Sequence, residues 1–486
     1  MHRARARGPT ARARDRWCLR GSEHGDLARG AALARRLGAL LRARIPGVAD
    51  GARAAIVALG AAGGRPRHVG SAHRLVALAA RRAVRPLAVH LGSAALARGI
   101  GLRAGAGRRI GGHVSLSPRE RRWLIGVGVL YAAVVIPIGI RKGGDFTQEL
   151  TESERLLRGL PLYVANPEGG IWWPPFTALG LVPFALVARW SLAVAKAGWA
   201  LLNVACLGWS LVLARRWTTD WMPVVLGLAA VGKPLQSNFE HLNLTPLLLG
   251  LIVAAAADLQ TRREVRAGTW IGLAGAIKGF PLLLLLYFAY RRYWKGVAAG
   301  LAVAGTLTVG AMLPFGLRGS GEAVLDWVRI SQAATGFGKL GTQSLPGFSF
   351  FFGWPVPVVV ALELGCVAAV AFALRRAAGG ERNALYEVGL VTLGAVLVSP
   401  VAWLYYYTLA FPAWVVLLSR STPRPAGFRA MLLAAAMLTS GLLTFGLYPQ
   451  FLWFIREANY TWGGLLLCAV LVTQRVAQPH LRPQPI

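Results

Sequence analysis

From about residue 116 onward the chain is a series of apolar runs separated by short polar stretches. The first, WLIGVGVLYAAVVIPIGI, extends from Trp123 to Ile140 and follows the basic cluster Arg119, Arg121 and Arg122. Further runs cover about 175–188, 191–214, 221–232, 244–258, 268–290, 297–315, 354–374, 386–403, 404–419, 427–447 and 461–474. A hydrocarbon layer of roughly 30 Å takes about twenty helical residues to cross, so several runs are too short to do it straight. The short ones are expected to be tilted, broken or re-entrant. The pattern predicts an all-α, polytopic transmembrane protein with about 11–13 membrane helices, short and re-entrant ones included. Positive residues stay in the cytoplasm, so the first span sends the chain to the extracytoplasmic side.

One run breaks that charge rule. Gly268 to Tyr290 has Arg262, Arg263 and Arg266 before it and Arg291, Arg292 and Lys295 after it, so both ends read as cytoplasmic. A single crossing satisfies one end only. At its midpoint stands Ile277-Lys278-Gly279-Phe280-Pro281, where glycine and proline disfavour continuous helix. The expectation is a hairpin of two short helices with Lys278 at its tip. An ammonium at membrane depth costs at least about 2.5 kcal/mol unless paired, and a lipid phosphate is a natural partner.

The stretch after the first span, Lys142 to Pro175, carries its own carboxylates. Asp145 follows two glycines that permit a sharp turn and leave the acid uncovered. Leu150, Leu156, Leu157 and Leu160 then recur at near-helical spacing between Glu149, Glu152, Glu154 and Arg155. That reads as a short amphipathic helix on the bilayer surface. Trp172 and Trp173 mark the return to the interface. A solvated surface loop is the plain alternative for the acids.

Composition agrees with a membrane protein. Of 486 residues, 55% are hydrophobic and only 15% charged, too apolar for an ordinary soluble chain. The net charge of +34 is unevenly placed: about half of the Lys and Arg residues precede Trp123, all of them Arg, and the first lysine is Lys142. Residues 1–115, rich in Arg, Ala and Gly, hold too few aromatics and apolar stretches for a core. Three readings compete: a disordered arm on anionic lipid or nucleic acid, short basic amphipathic helices, or sequence read from a misassigned start. The last is favoured, because unselected GC-rich DNA yields Arg in preference to Lys. The membrane domain is expected over 116–475, followed by a polar tail over 476–486. Cys18, Cys206, Cys366 and Cys468 are widely separated and suggest neither a disulfide framework nor a metal site.

Other polar positions interrupt the apolar runs. Asn238-Phe239-Glu240-His241-Leu242-Asn243 reads as a polar connecting loop, and its donors and acceptors also suit the lining around a polar substrate. Gly336 to Gly347, GFGKLGTQSLPG, carries Lys339, Gln343 and Ser344 but lacks the spacing of a nucleotide-binding loop. In Ser399-Pro400-Val401-Ala402-Trp403-Leu404-Tyr405-Tyr406-Tyr407 the aromatics suit either a wall against a sugar ring or an interfacial belt. Glu363 lies inside an apolar run and is expected to face protein or a polar cavity.

In this order the stretches become recognisable. Gly144-Asp145-Phe146, Arg158 to Tyr163, Trp173-Pro174-Pro175, Asn243, Gly272 to Pro281, Gln343-Ser344-Leu345 and Ser399-Pro400 with Trp403 follow a family pattern. From about Trp123 to Val472 the chain resembles the polyprenol-phosphate-mannose-dependent mannosyltransferases of glycosyltransferase family 87, membrane enzymes of the GT-C class. There are departures: Trp173 replaces a Tyr, Glu240 and His241 replace Gly and Gln, Thr342 replaces Asn, and Tyr405 stands where many members have His.

The resemblance implies a bacterial inner-membrane, multi-pass hexosyltransferase with its active site on the extracytoplasmic face. The donor would be a polyprenyl-phosphate-linked sugar, mannose, and the acceptor a glycolipid or polysaccharide. Asp145 would act as general base and Lys278 would bind the donor phosphate. Tyr163, Trp173, His241, Asn243, Gln343, Ser344, Trp403 and Tyr405 are candidate substrate contacts. No cofactor, metal or nucleic-acid partner is expected, and no D-x-D spacing flanks Asp145. Direct attack on the anomeric carbon would invert configuration. A transporter or channel is the alternative, since broken helices and intramembrane charge serve transport too; no repetition between the two halves speaks for it.

Overall fold

The computed structural model describes residues 116–163, 173–334, 341–376, 383–419, 425–441 and 453–477. The extension expected over 1–115, nearly all of the 476–486 tail, Trp172 and Lys339 lie outside the described residues. Among the described residues every regular element is helical, as the apolar pattern predicts. Helix α1 (Pro118–Arg141) starts at Ser117, whose hydroxyl accepts the Glu120 N–H while the Glu120 carboxylate accepts the Ser117 N–H. It buries only Ala132, Val135 and Gly139 and exposes Trp123, Val127, Leu130 and Val134. Such an apolar exterior is stable facing lipid, not water.

Helix α2 (Gly144–Leu157) is the amphipathic segment, and the single apolar run expected over 175–188 divides into α3 (Pro175–Gly180) and α4 (Val182–Trp190). Pro183, in the first turn of α4, starts the second piece afresh. Then come α5 (Leu192–Ala214), α6 (Met222–Ala230), α7 (Gly232–His241), α8 (Thr245–Gln260) and α9 (Glu264–Ile277). After a 3-10 turn over Phe280–Leu283 the chain continues as α10 (Leu284–Tyr290), α11 (Trp294–Gly310) and α12 (Gly316–Ala334). The last group is α13 (Gly347–Phe352), α14 (Val356–Arg376), α15 (Ala384–Val398), a 3-10 helix over Leu404–Ala410, α16 (Phe411–Leu418), α17 (Ala426–Ser440), α18 (Trp453–Glu457) and α19 (Asn459–Ala477).

Among the described residues, Pro118–Arg141, Leu192–Trp217 and Val356–Arg375 are each long and apolar enough to cross a membrane. The pair Trp294–Gly310 and Leu313–Ser331, bent by 47°, adds a fourth crossing if it acts as one span. Shorter apolar helices, including α8, α15 and α17, complete the polytopic bundle. Helix α8 is buried almost all round, from Thr245 to Leu259, and packs against α5, α9 and α15. It is the centre of the core.

The run at 268–290 turns back on itself, as its flanking charges require. Helices α9 and α11 lie side by side with Gly268 against Gly296 and Gly272 against Gly300. A Cβ on Gly268 or Gly272 would overlap the backbone opposite, so the close approach needs glycine. Both pairs are separated by the same number of residues in the same sense, so α9 and α11 run parallel. The chain between them must therefore return, and it does so through the 3-10 turn and α10, with Leu282 packed on Gly275. Lys278 stands at the tip, where helical hydrogen bonding ends with its N–H on the Ala274 carbonyl (2.9 Å).

Candidate functional site

Helix α2 begins at Gly143, in the left-handed region at φ 36°, a conformation that disfavours residues with a Cβ. The Gly143 N–H donates to the Glu240 carbonyl (3.0 Å), which ties the start of α2 to α7. Asp145 falls in the first turn, where the helix dipole favours an anion. Asp145, Glu149 and Glu152 are spaced i, i+4, i+7 and so share one face. Phe146 and Leu150 anchor the helix in the core, with the Phe146 ring stacked on Trp199 at 5.5 Å.

The end of α7 holds Asp145. Leu242 caps α7 in the left-handed region at φ 52°, and Trp199 Nε1 donates to its carbonyl (2.8 Å). A leucine so placed stores about 1 kcal/mol or more of backbone strain. The turn delivers Asn243, fully buried, to α2. The Asn243 side-chain oxygen accepts the Leu244 N–H (2.8 Å), and its Nδ2 is thereby directed to Asp145 Oδ2 (2.8 Å). Asn238 Oδ1 fixes the same turn by accepting the Thr245 N–H (3.1 Å). The Asp145 carboxylate therefore has a set orientation and is half-buried.

Lys278 provides the opposite charge. Its Nζ lies 4.8 Å from the centre of the Trp173 ring and 5.8 Å from that of Tyr406, both within cation–π range. It interacts electrostatically with Glu149, Asp145 and Glu152 but forms no ion pair within 4.0 Å among the described residues. Helix α3 braces the tip: the Thr177 hydroxyl donates to the Ile277 carbonyl (2.8 Å), one of those released where α9 ends. On the other side of α3, the Ser153 hydroxyl donates to the Ala178 carbonyl (2.8 Å), so α3 joins the acidic helix to the hairpin. Trp173 is fully buried beneath Lys278, not lying at an exposed interface, and the Tyr163 hydroxyl donates to its carbonyl (2.8 Å).

Glu149 is the site's unusual group. It is fully buried, and among the described residues neither carboxylate oxygen has a hydrogen-bond partner. Burial, with the neighbouring Glu152 adding to it, pushes the Glu149 carboxyl well above the usual range. Burial likewise raises Glu152, to about 8. Two carboxylates have no donor between them, so this pair joins only when one keeps its proton.

Aromatic rings close the site. Tyr405 lies beside Asp145 and packs against His241 at 5.9 Å and Tyr406 at 5.1 Å. His241 Nδ1 lies 2.9 Å from the Ser237 carbonyl, a contact that requires the proton on Nδ1. In the neutral ring Nε2 is then the acceptor. The residues read in sequence as one polar connection, Asn238 to Asn243, are thus the last turn of α7 and its cap.

Asp145, Asn243, His241 and Tyr405 come together, and Lys278, Trp173 and Tyr163 form the adjoining wall. Gln343 and Ser344 make no bond to either charge. The Gln343 N–H donates to the Ala402 carbonyl (2.7 Å) and its Nε2 to the Glu457 carbonyl (2.8 Å), while the Ser344 hydroxyl meets that of Thr342 (2.9 Å). These contacts, with the Tyr407 hydroxyl donating to the Gln343 carbonyl (3.0 Å), fasten the loop before α13 to the 3-10 helix and α18. Trp403 is exposed. In sequence Glu149 and Glu152 stand as charges between the leucines of an amphipathic helix, and their i, i+4, i+7 register with Asp145 is the signal that aligns the three acids.

An all-helical membrane protein with a fixed carboxylate facing a cation at a helix break is equipped for chemistry on a polar, anionic substrate at the membrane boundary. Comparison with known proteins narrows that class. The model of Glycosyltransferase family 87 matches residues 172–400, a range that contains Trp173, Asn243 and Lys278 and follows Asp145. A polyprenol-phosphate-mannose-dependent alpha-(1-2)-phosphatidylinositol pentamannoside mannosyltransferase of Mycolicibacterium smegmatis is 29% identical over 322 residues, covering 62% of this chain and 75% of that protein. A polyprenol-phosphate-mannose-dependent alpha-(1-2)-phosphatidylinositol mannoside mannosyltransferase of the same organism is 26% identical over 373 residues, 67% of this chain and 82% of that protein. An alpha-(1->3)-arabinofuranosyltransferase of Corynebacterium glutamicum is 25% identical over 338 residues, 63% of this chain and 77% of that protein. No solved structure matches. The chain resembles the mannosyltransferases of glycosyltransferase family 87 and is a membrane-integral glycosyltransferase.

Proposed function

We propose that this glycosyltransferase moves a hexose, mannose, from a polyprenyl-phosphate carrier to a hydroxyl of a glycolipid or glycan at the extracytoplasmic face of a bacterial inner membrane. The observation that carries the reading is the juxtaposition of Asp145, oriented by Asn243, with the Lys278 ammonium beside the Trp173 ring. A sugar hydroxyl is a weak nucleophile until its proton leaves, and the Asp145 carboxylate accepts that proton as the new bond forms. The bond between the anomeric carbon and the phosphate oxygen breaks, and its electron pair stays on the phosphate. Lys278 stabilises that charge from a fixed position in a water-poor cleft. Attack opposite the departing phosphate inverts the anomeric carbon.

Arg266 and Arg292 at the two ends of the hairpin support this orientation, since basic residues favour the cytoplasmic side and the Lys278 tip is then directed to the far face. The test is transfer by the full chain in lipid, with polyprenyl-phosphate mannose and polyprenyl-phosphate arabinofuranose offered in parallel to a panel of mannoside and arabinan acceptors. The expected result is a new glycosidic bond from the mannosyl donor that Lys278→Ala slows chiefly through a higher donor KM. Turnover of the arabinosyl donor alone would reassign the sugar. No transfer from either donor would return the protein to the transport reading.

A further inference from the structure

Glu149 is left without a role by the transfer chemistry, yet it lies at the centre of the site's charges. It is fully buried with both oxygens unpartnered, and Glu152, one turn on, has an unpartnered oxygen of its own. An ionised, unpaired carboxylate at such a position is expensive, and a structural acid would be satisfied by a bonded cation or by backbone N–H groups. The groups that face Glu149 are Asp145 and Glu152 on its own helix, Lys278 on the hairpin tip, Tyr163 on the segment after α2, and Tyr405 and Tyr406 on the 3-10 helix. Arg155 acts on Glu152. Among the described residues Lys278 is the cation that acts on Glu149 directly, and it is the residue assigned to the donor phosphate.

A phosphate arriving beside Lys278 changes this balance. In the empty site the pair keeps one proton, and the single negative charge left on it offsets the ammonium. With an anion bound there, the same carboxylate faces a second negative charge in a medium that screens poorly. The low-energy response is for the pair to gain a second proton from water, so that neither carboxyl keeps a charge beside the bound anion while one still donates to the other.

We propose that Glu149 and Glu152 form a proton-holding pair that balances the Lys278 charge while the site is empty and takes up a proton from solvent when the donor phosphate binds. This rests on the reading of Lys278 as the donor-phosphate residue. The pair is a positioning device: it keeps the ammonium in place over Trp173 between turnovers and withdraws its own charge when the substrate supplies one. Release of the spent carrier returns the proton to water.

The test is donor binding without acceptor, by the full chain in lipid nanodiscs, with a short-chain polyprenyl phosphomannose as the probe. This ligand is a phosphodiester with no titrating group between about pH 6.5 and about pH 9, so any change in affinity across that range belongs to the protein. Wild type is expected to bind about tenfold more weakly at the alkaline end, where the pair is ionised. Glu149→Gln is expected to flatten the profile and to bind more tightly than wild type at the alkaline end. Calorimetry in two buffers of different ionisation heat should show a proton taken up by wild type and less by the variant. Parallel profiles overturn the proposal. So does weaker alkaline binding by Glu149→Gln, the result expected if Lys278 itself loses its proton once its counter-charge is gone. If that variant does not fold, Glu152→Gln, at the more accessible half of the pair, carries the same two outcomes. Absence of probe binding at every pH, in wild type and variant alike, overturns the reading of Lys278 on which the proposal rests; binding with unaltered pH dependence overturns the proposal alone.

Discussion

Two buried glutamates in this protein have opposite surroundings. Glu387, in α15, is surrounded by donors: Arg291 Nη2 at 2.6 Å, Arg291 Nε at 3.0 Å and the Tyr287 hydroxyl at 2.8 Å. Arg291 also donates to the Leu374 carbonyl (3.0 Å), so the group ties the returning arm of the hairpin to α14 and α15. Glu149 is equally inaccessible and has no such donor. The first arrangement is that of a structural fastening, complete without any ligand. The second is incomplete, and it lies where an oriented base and an unpaired cation meet. Burial alone does not distinguish structure from function here; the hydrogen-bond partners do.

Breaking the fastening should have the largest effect on stability. Arg291→Leu leaves Glu387 buried without its cation, a loss of about 3–5 kcal/mol, seen as a strongly lowered melting temperature in lipid. A variant that melts like wild type would show that the Glu387 cluster is not a fastening. A smaller, catalytic effect is expected for Asn243→Ala, which removes the amide that donates to Asp145 Oδ2. Steady-state kinetics should show kcat about tenfold lower with donor KM little changed, the loss of one charge-assisted hydrogen bond. Unchanged kcat would mean that Asp145 needs no holder.

The smallest effect belongs to Glu149→Gln in the empty protein, and its sign is opposite to that of Arg291→Leu. Burial raises both carboxyls above the ordinary 4.5, Glu152 to about 8, so the folded protein holds more protons than the unfolded chain between these values. Stability of wild type therefore falls as pH rises through that window. Glu149→Gln removes part of the loss and should melt above wild type near pH 8, with little difference at pH 4.5 and below. A lower melting point near pH 8 would make Glu149 a structural acid like Glu387.

Much of the architecture was legible because it is written in local pattern. Apolar runs gave the helices, and arginines on both sides of 268–290 gave the return of the chain at Lys278. Asp145 stood out because it follows a span and two glycines. The charge network did not stand out, because its partners are remote: Asn243 meets Asp145 from 98 residues away, and Thr177 reaches Ile277 across 100. The leucines of α2 suggested a bilayer-facing helix with solvated acids. Whether Glu149 met water or protein depended on α3, the hairpin tip and the 3-10 helix closing over it. No local pattern encodes that enclosure. The same holds for Glu387 and Arg291, which meet from 96 residues apart with no local pattern to pair them.

The proposed transfer depends most on Asp145 as the group that takes the acceptor's proton. Asp145→Asn preserves shape and hydrogen-bonding capacity while removing the basic carboxylate, so folding and donor binding should survive. Single-turnover transfer by purified protein in lipid, from polyprenyl-phosphate mannose to an accepted glycolipid, should slow by about 10²-fold or more, with probe affinity largely unchanged. Transfer at the wild-type rate by Asp145→Asn would contradict the account and return the first turn of α2 to a structural role.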